Sequence, residues 1–99
     1  MNARIYTKEK TWETVTDAEP VCLPYLKGAF AYHDKECGIW SVTEPKTGLR
    51  IGAGFDKPHA VNDAIAKLKS RGRRSIERSL ELALRRQRRE AAERKEPTT

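Results

Sequence analysis

Apolar and polar positions alternate with a period of two along three successive segments of this chain, and then switch to a helical period. From Tyr25, "YLKGAFAYHD" predicts a strand with Phe30 and Tyr32 on one face. "DKECG" is a polar turn closing on Gly38. "IWSVTE" predicts a second strand that places Trp40 and Val42 together. "EPKTG" is a second turn, with Pro45 presetting φ and Gly48 at its exit. "LRIGAG" predicts a third strand with Leu49 and Ile51 on one face. The three strands therefore offer Phe30, Tyr32, Trp40, Val42, Leu49 and Ile51 as a candidate core face. A meander of this size cannot bury such a face unaided and needs a helix packed on it.

The helix follows at once. Asp56 suits an N-cap, and Pro58 falls in the first turn, where its missing N–H costs nothing. Val61, Ala64, Ile65 and Leu68 form an apolar stripe at helical spacing. Gly72 in "KSRGRRS" predicts the end of this helix or a bend. A second helix is expected from about Arg74 towards Arg94. Ile76, Leu80, Ala83, Leu84 and Gln87 share one of its faces, while Arg74, Arg78, Arg85 and Arg89 share the opposite one. Glu81 with Arg85 and Glu90 with Arg94 are helix-supporting pairs four residues apart. Leu82 projects among the arginines, where an apolar side chain is either unimportant or an anchor for a partner.

The first 24 residues are less regular. "TWETV" alternates weakly around Trp12 and Val15 and fits an edge strand or an irregular arm. Pro20 and Pro24 in "AEPVCLP" favour an extended connection. The expected fold is α+β: a three-stranded antiparallel meander packed by a helix and followed by a long basic C-terminal helix. As one domain it divides into an arm or edge strand (1–24), a β-β-β-α core (25–71), a basic amphipathic helix (72–95) and a disordered tail (96–99).

Composition sharpens this picture. The 99 residues suffice for one small domain with a modest core. No apolar run approaches the roughly 20 residues that span a bilayer, and "MNARIYTKEK" has no apolar signal segment, so a cytoplasmic protein with no membrane partner is expected. The net charge of +6 is uneven. Residues 1–66 hold eight Lys/Arg against nine Asp/Glu, and residues 67–99 hold twelve against five. A basic helix on a near-neutral body suggests an anionic partner: nucleic acid, a membrane surface or an acidic protein. The plainer reading is a solvated face that keeps the chain soluble. The candidate contact residues are Arg73, Arg74, Arg78, Leu82, Arg85, Arg86 and Arg89, with Lys57 added from the start of the first helix. A homodimer through the long helix is a further possibility if the Ile76–Leu80–Leu84 face or Leu82 is left uncovered.

Catalysis, metals and cofactors are not expected. Cys22, His33, Cys37 and His59 match no zinc spacing, and the two cysteines should be reduced thiols. Cys22 reads as a small core residue, and Cys37 with His33 as flanking a hairpin turn. Cys37 and His33 as nucleophile and base lack a third group to orient the base. Neither G-x-S-x-G nor H-E-x-x-H occurs. Tyr6, Trp12 and Tyr25 could stack on bases if exposed, though core or rim packing is the stronger reading.

"GAGFDKPHA" places Gly52, Gly54 and Lys57 between a strand and a helix N-terminus, a position able to attract phosphate. It lacks the Walker pattern and the third glycine of a dinucleotide fingerprint, and Asp56 competes for the same N–H groups. The wider stretch "GAGFDKPHAVNDAIAKL" resembles the end of a double-stranded RNA-binding domain at Gly52, Gly54, Lys57, Ala60 and Ala64. Pro58 and Val61 stand where that family has phosphate-binding lysines, and Asp56 stands for its serine. This resemblance implies a β-β-β-α architecture. "GIWSVTEPKTGLRIGAGFDKPHAVNDAIAKL" looks like small proteins of phages and mobile elements, among them anti-CRISPR inhibitors. That resemblance implies a non-catalytic protein that inhibits a bacterial nucleoprotein or nuclease complex by occupying a surface. The alternative is a regulator that binds DNA or RNA directly.

Overall fold

The computed structural model describes residues 1–95, so the expected tail at 96–99 lies outside the described residues. Six strands precede two helices: β1 (Ala3–Tyr6), β2 (Trp12–Val15), β3 (Glu19–Pro20), β4 (Phe30–Asp34), β5 (Ile39–Thr43), β6 (Arg50–Gly54), α1 (Lys57–Arg71) and α2 (Arg73–Lys95). The fold is α+β, as expected, but its β-structure is richer than a three-stranded meander. β3 adds to the meander to give an antiparallel sheet in the order β3-β4-β5-β6, and β1 pairs with β2 in a separate antiparallel hairpin. Residues 1–24 thus supply one edge strand of the main sheet, β3, and a separate hairpin, β1-β2, that the sequence does not signal. Within the proline-bearing "AEPVCLP", Glu19–Pro20 is extended and pairs with Ala31 and Phe30, while the chain turns at Pro24.

The largest departure concerns the faces of β4. Phe30 and Tyr32 were expected beside Trp40 and Val42, but cross-strand pairing sets Ala31 opposite Val42 and Phe30 opposite Thr43. Residues directly opposite share a face, so the aromatic pair points away from α1. It packs with Ala18 against Ala3, Ile5 and Val15 beneath the hairpin. The face towards α1 carries Ala29, Ala31 and Val42, which pack with Ala60, Ala64 and Leu68. The strand also begins at Phe30 rather than Tyr25, because Tyr25 (φ 69°) and Gly28 (φ 76°) have left-handed backbones that form a turn.

Close approach explains that choice. Gly52 pairs with Val42 and Gly54 with Trp40, so both glycines lie under α1. A Cβ on Gly52 would meet the Ala64 nitrogen at 2.6 Å, and one on Gly54 would meet the Ala60 nitrogen at 2.6 Å. With the helix seated this low, Ala31, Ala60 and Ala64 fit the space, all at 0% exposure. The expected stripe of Val61, Ala64, Ile65 and Leu68 is therefore shifted: Ala60, Ala64 and Leu68 are buried, while Val61 and Ile65 flank them. Trp40 is half-buried at the edge of this core, its ring 5.8 Å from that of His33.

The helix ends follow their local signals. Asp56 caps α1 by accepting from the His59 N–H at 2.9 Å, with proline in the first turn. Gly72 (φ 81°) closes α1, donating its N–H to the Leu68 carbonyl at 2.9 Å. Ile76, Ala83 and Gln87 of α2 are buried, and Leu80 and Leu84 are half-buried. Beyond Ala83 the helix reaches the turn before β6 and the N-terminal hairpin. There Gln87 Nε2 donates to the Thr47 carbonyl at 2.7 Å, and the Tyr6 hydroxyl donates to Glu90 at 3.0 Å.

Candidate functional site

The apolar stripe of α2 fixes the helix's rotation on the body, and that rotation turns the arginines outward. Arg74, Arg78, Arg85, Arg86, Arg88 and Arg89 are all exposed. Arg85 bonds Glu81 at 3.1 Å, four residues earlier, an exposed contact of small energy. Among the described residues, Arg74, Arg78 and Arg89 form no ion pair. Leu82 is 53% exposed beside them, so an apolar group interrupts the cationic surface. The Glu90–Arg94 pair expected from the sequence rests on a side chain outside those described. Glu90 is drawn towards the body, 3.2 Å from Lys10. Burial works to raise the Glu90 carboxyl, but the Tyr6 hydroxyl and the Lys10 and Arg86 charges outweigh it and hold the pKa below its ordinary 4.5.

Arg73 and Lys57 sit apart from this surface. The Arg73 guanidinium lies over the Tyr25 ring, 5.5 Å from its centroid. Lys57 pairs with Glu19 at 2.8 Å, joining the start of α1 to β3, roughly 20 Å along α1 from the helix junction. At "GAGFDKPHA" both charged side chains already have partners within the chain. Asp56 occupies the helix N-terminus, accepting from the backbone N–H of His59 and bonding its ring Nδ1 at 2.7 Å. Those two bonds from His59 hold the Asp56 carboxyl below its ordinary 3.8. The glycines serve helix-on-sheet packing.

Asp63 extends the same theme. Its carboxylate accepts from the Ala53 N–H of β6 at 3.0 Å and from Lys67 at 2.9 Å. The Lys67 bond, then the backbone bond, lowers its pKa. A side chain on α1 thereby satisfies a backbone donor of β6, a terminal strand of the sheet.

The aromatic candidates divide. Tyr6 and Trp12 meet edge-on at 5.2 Å, and Arg4 lies over the Trp12 ring at 4.7 Å. Trp12 also covers Gly48, where a Cβ would come within 2.4 Å of the indole. The Trp12 ring, still 36% exposed, and the Tyr6 backbone N–H, which donates to the Gly48 carbonyl at 2.8 Å, therefore hold the hairpin to the turn. Tyr25 is 39% exposed, and Phe55, not singled out by the sequence reading, is 73% exposed with its ring 4.3 Å from that of His59. Cys22 and Cys37 are free and exposed, so Cys22 is not a core residue. No group of three or more His, Cys, Asp or Glu residues able to hold a metal occurs among the described residues. No helix among them is long and apolar enough to cross a membrane.

The buried Gln87 clasp and the Tyr6–Glu90 bond were not anticipated. The one local signal was a glutamine in an apolar stripe, since a buried amide requires a partner. No family model, curated protein or solved structure matches the chain.

Proposed function

We propose that this chain is a non-catalytic binding protein that presents the outer face of α2 to an anionic surface of a bacterial nucleic-acid-handling complex. In its most specific form, the reading is an inhibitor of the anti-CRISPR type. The observation that carries it is the exposure of Leu82 within the row Arg74, Arg78, Arg85 and Arg89, on a helix whose other face is anchored to the body. Exposed guanidiniums match carboxylates or phosphates, and complementary charge steers encounter. An apolar side chain among them favours a protein partner, because a phosphate backbone gives it nothing to pack against. The alternative is a DNA- or RNA-binding regulator that uses the same arginines as phosphate contacts. Self-association through α2 would draw on the exposed Leu82 or on the half-buried Leu80 and Leu84, since Ile76 and Ala83 are buried in the chain's own body.

The test is affinity capture from bacterial lysate with and without nuclease, using the parent and Leu82→Asp. A protein target stays bound after nuclease and is lost from Leu82→Asp. Release by nuclease from both chains would establish the nucleic-acid reading instead. Retention that ignores both nuclease and Leu82→Asp would overturn the assignment of this face.

A further inference from the structure

A pocket of about 490 Å³ lies where the end of α1 and the first half of α2 meet Leu26, the turn before β6 and the start of β6. Leu26, Leu49, Ile51, Leu68, Ile76 and Leu80 supply its apolar lining. Its size and lining fall in the range of small-molecule sites, about 300–1,000 Å³ and mostly apolar with a few polar groups. The charged residues along it are Glu44, Arg50, Lys67 and Arg71. Three are already engaged. Glu44 accepts from Lys46 and Thr47 of its own turn, Arg50 pairs with Asp34, and Lys67 pairs with Asp63. Arg71 has no carboxylate partner among the described residues. Its Nη2 donates to the hydroxyls of Ser75 and Ser79, which fixes the guanidinium at the rim and leaves other N–H groups for an anion.

We infer that this pit binds a small anionic amphiphile, with its apolar body on Leu68, Ile76 and Leu80 and its anionic head on Arg71. The apolar wall of Leu68, Ile76 and Leu80 ends at Arg71, a cation with no ion pair among the described residues, and so matches an apolar body carrying one anionic head. The inference is independent of the arginine face, which lies on the far side of α2.

Methyl-resolved NMR of the full chain tests it, with decanoate and decyl phosphate as probes that distinguish the head group and decyltrimethylammonium as the charge control. Saturable shifts of the Ile51, Leu68, Ile76 and Leu80 methyls by either anionic probe, below micelle-forming concentrations, are expected. Arg71→Gln should weaken binding about tenfold or more, and Ser79→Phe, which fills the pit, should abolish it. Several results would overturn the inference: no saturable shift with either anion, equal binding of the cationic control, or affinity unchanged in Arg71→Gln. So would shifts from an acidic leucine-containing peptide when neither amphiphile binds.

Discussion

Gln87 and Thr47, 40 residues apart in sequence, are joined by a buried 2.7 Å hydrogen bond from the side-chain amide to the backbone carbonyl. It pins the C-terminal half of α2 to the turn that precedes β6. This bond and the burial of Ile76 and Ala83 set which face of α2 meets solvent. Gln87→Met keeps most of the volume but leaves the Thr47 carbonyl unpaired, and should cost about 1–3 kcal/mol in urea unfolding. Amide exchange should accelerate first between residues 84 and 93. An unchanged midpoint would mean that the helix end is held by other contacts.

Gly52→Ala should destabilise the fold by about 1–3 kcal/mol, as overpacking does. The added Cβ would meet backbone atoms of Ala60 and Ala64 at 2.6–2.8 Å, which no side-chain rotation relieves. Equilibrium denaturation measures this. A neutral substitution would show that α1 stands further from the sheet.

Phe30→Ala should be the costly aromatic truncation, at about 3–5 kcal/mol, because the ring is 2% exposed under the hairpin. Trp40→Ala should cost less, since that ring is half-buried. Paired urea titrations would reverse this order if the aromatic face of β4 met α1.

These two substitutions mark where the sequence was legible. The Asp56 cap, the Gly72 stop and the buried stripe of α2 depend on neighbours in sequence, and they were readable. The faces of β4 were not, because "AFAYH" carries apolar residues in both phases. Large aromatics looked like the natural core. The deciding fact lay elsewhere in the chain: Gly52 and Gly54 bring α1 so close that alanines fill the layer. The hairpin that covers Phe30 and Tyr32 was equally hidden, since residues 1–20 alternate only weakly. The outward arginines were legible from helical periodicity, whereas the Tyr6–Glu90 and Gln87–Thr47 bonds are long-range and were not.

Acidification should weaken the fold in one direction. Asp56, Asp63 and Glu90 all have pKa values lowered in the folded state, so the unfolded chain binds more protons in the acid range. Their contribution is present above the ordinary values of 3.8 and 4.5 and is lost as pH falls through the lowered ones. Thermal melts should therefore fall below about pH 4.5. Asp56→Asn, which keeps a capping oxygen without the charge, should flatten part of that fall. A parent whose melting temperature rises on acidification would contradict the pairing of these carboxylates.

If α2 binds its partner through its outer face, that face should be dispensable for folding. The most direct measurement is affinity for the captured target, taken together with thermal melting, for the chain carrying Arg74, Arg78, Arg85 and Arg89 all changed to Glu. A cooperative fold with its secondary structure intact and binding abolished is expected, because these side chains lie opposite the buried stripe. A folded variant that binds as the parent does would show that the arginines form only a solvated surface and that binding resides elsewhere.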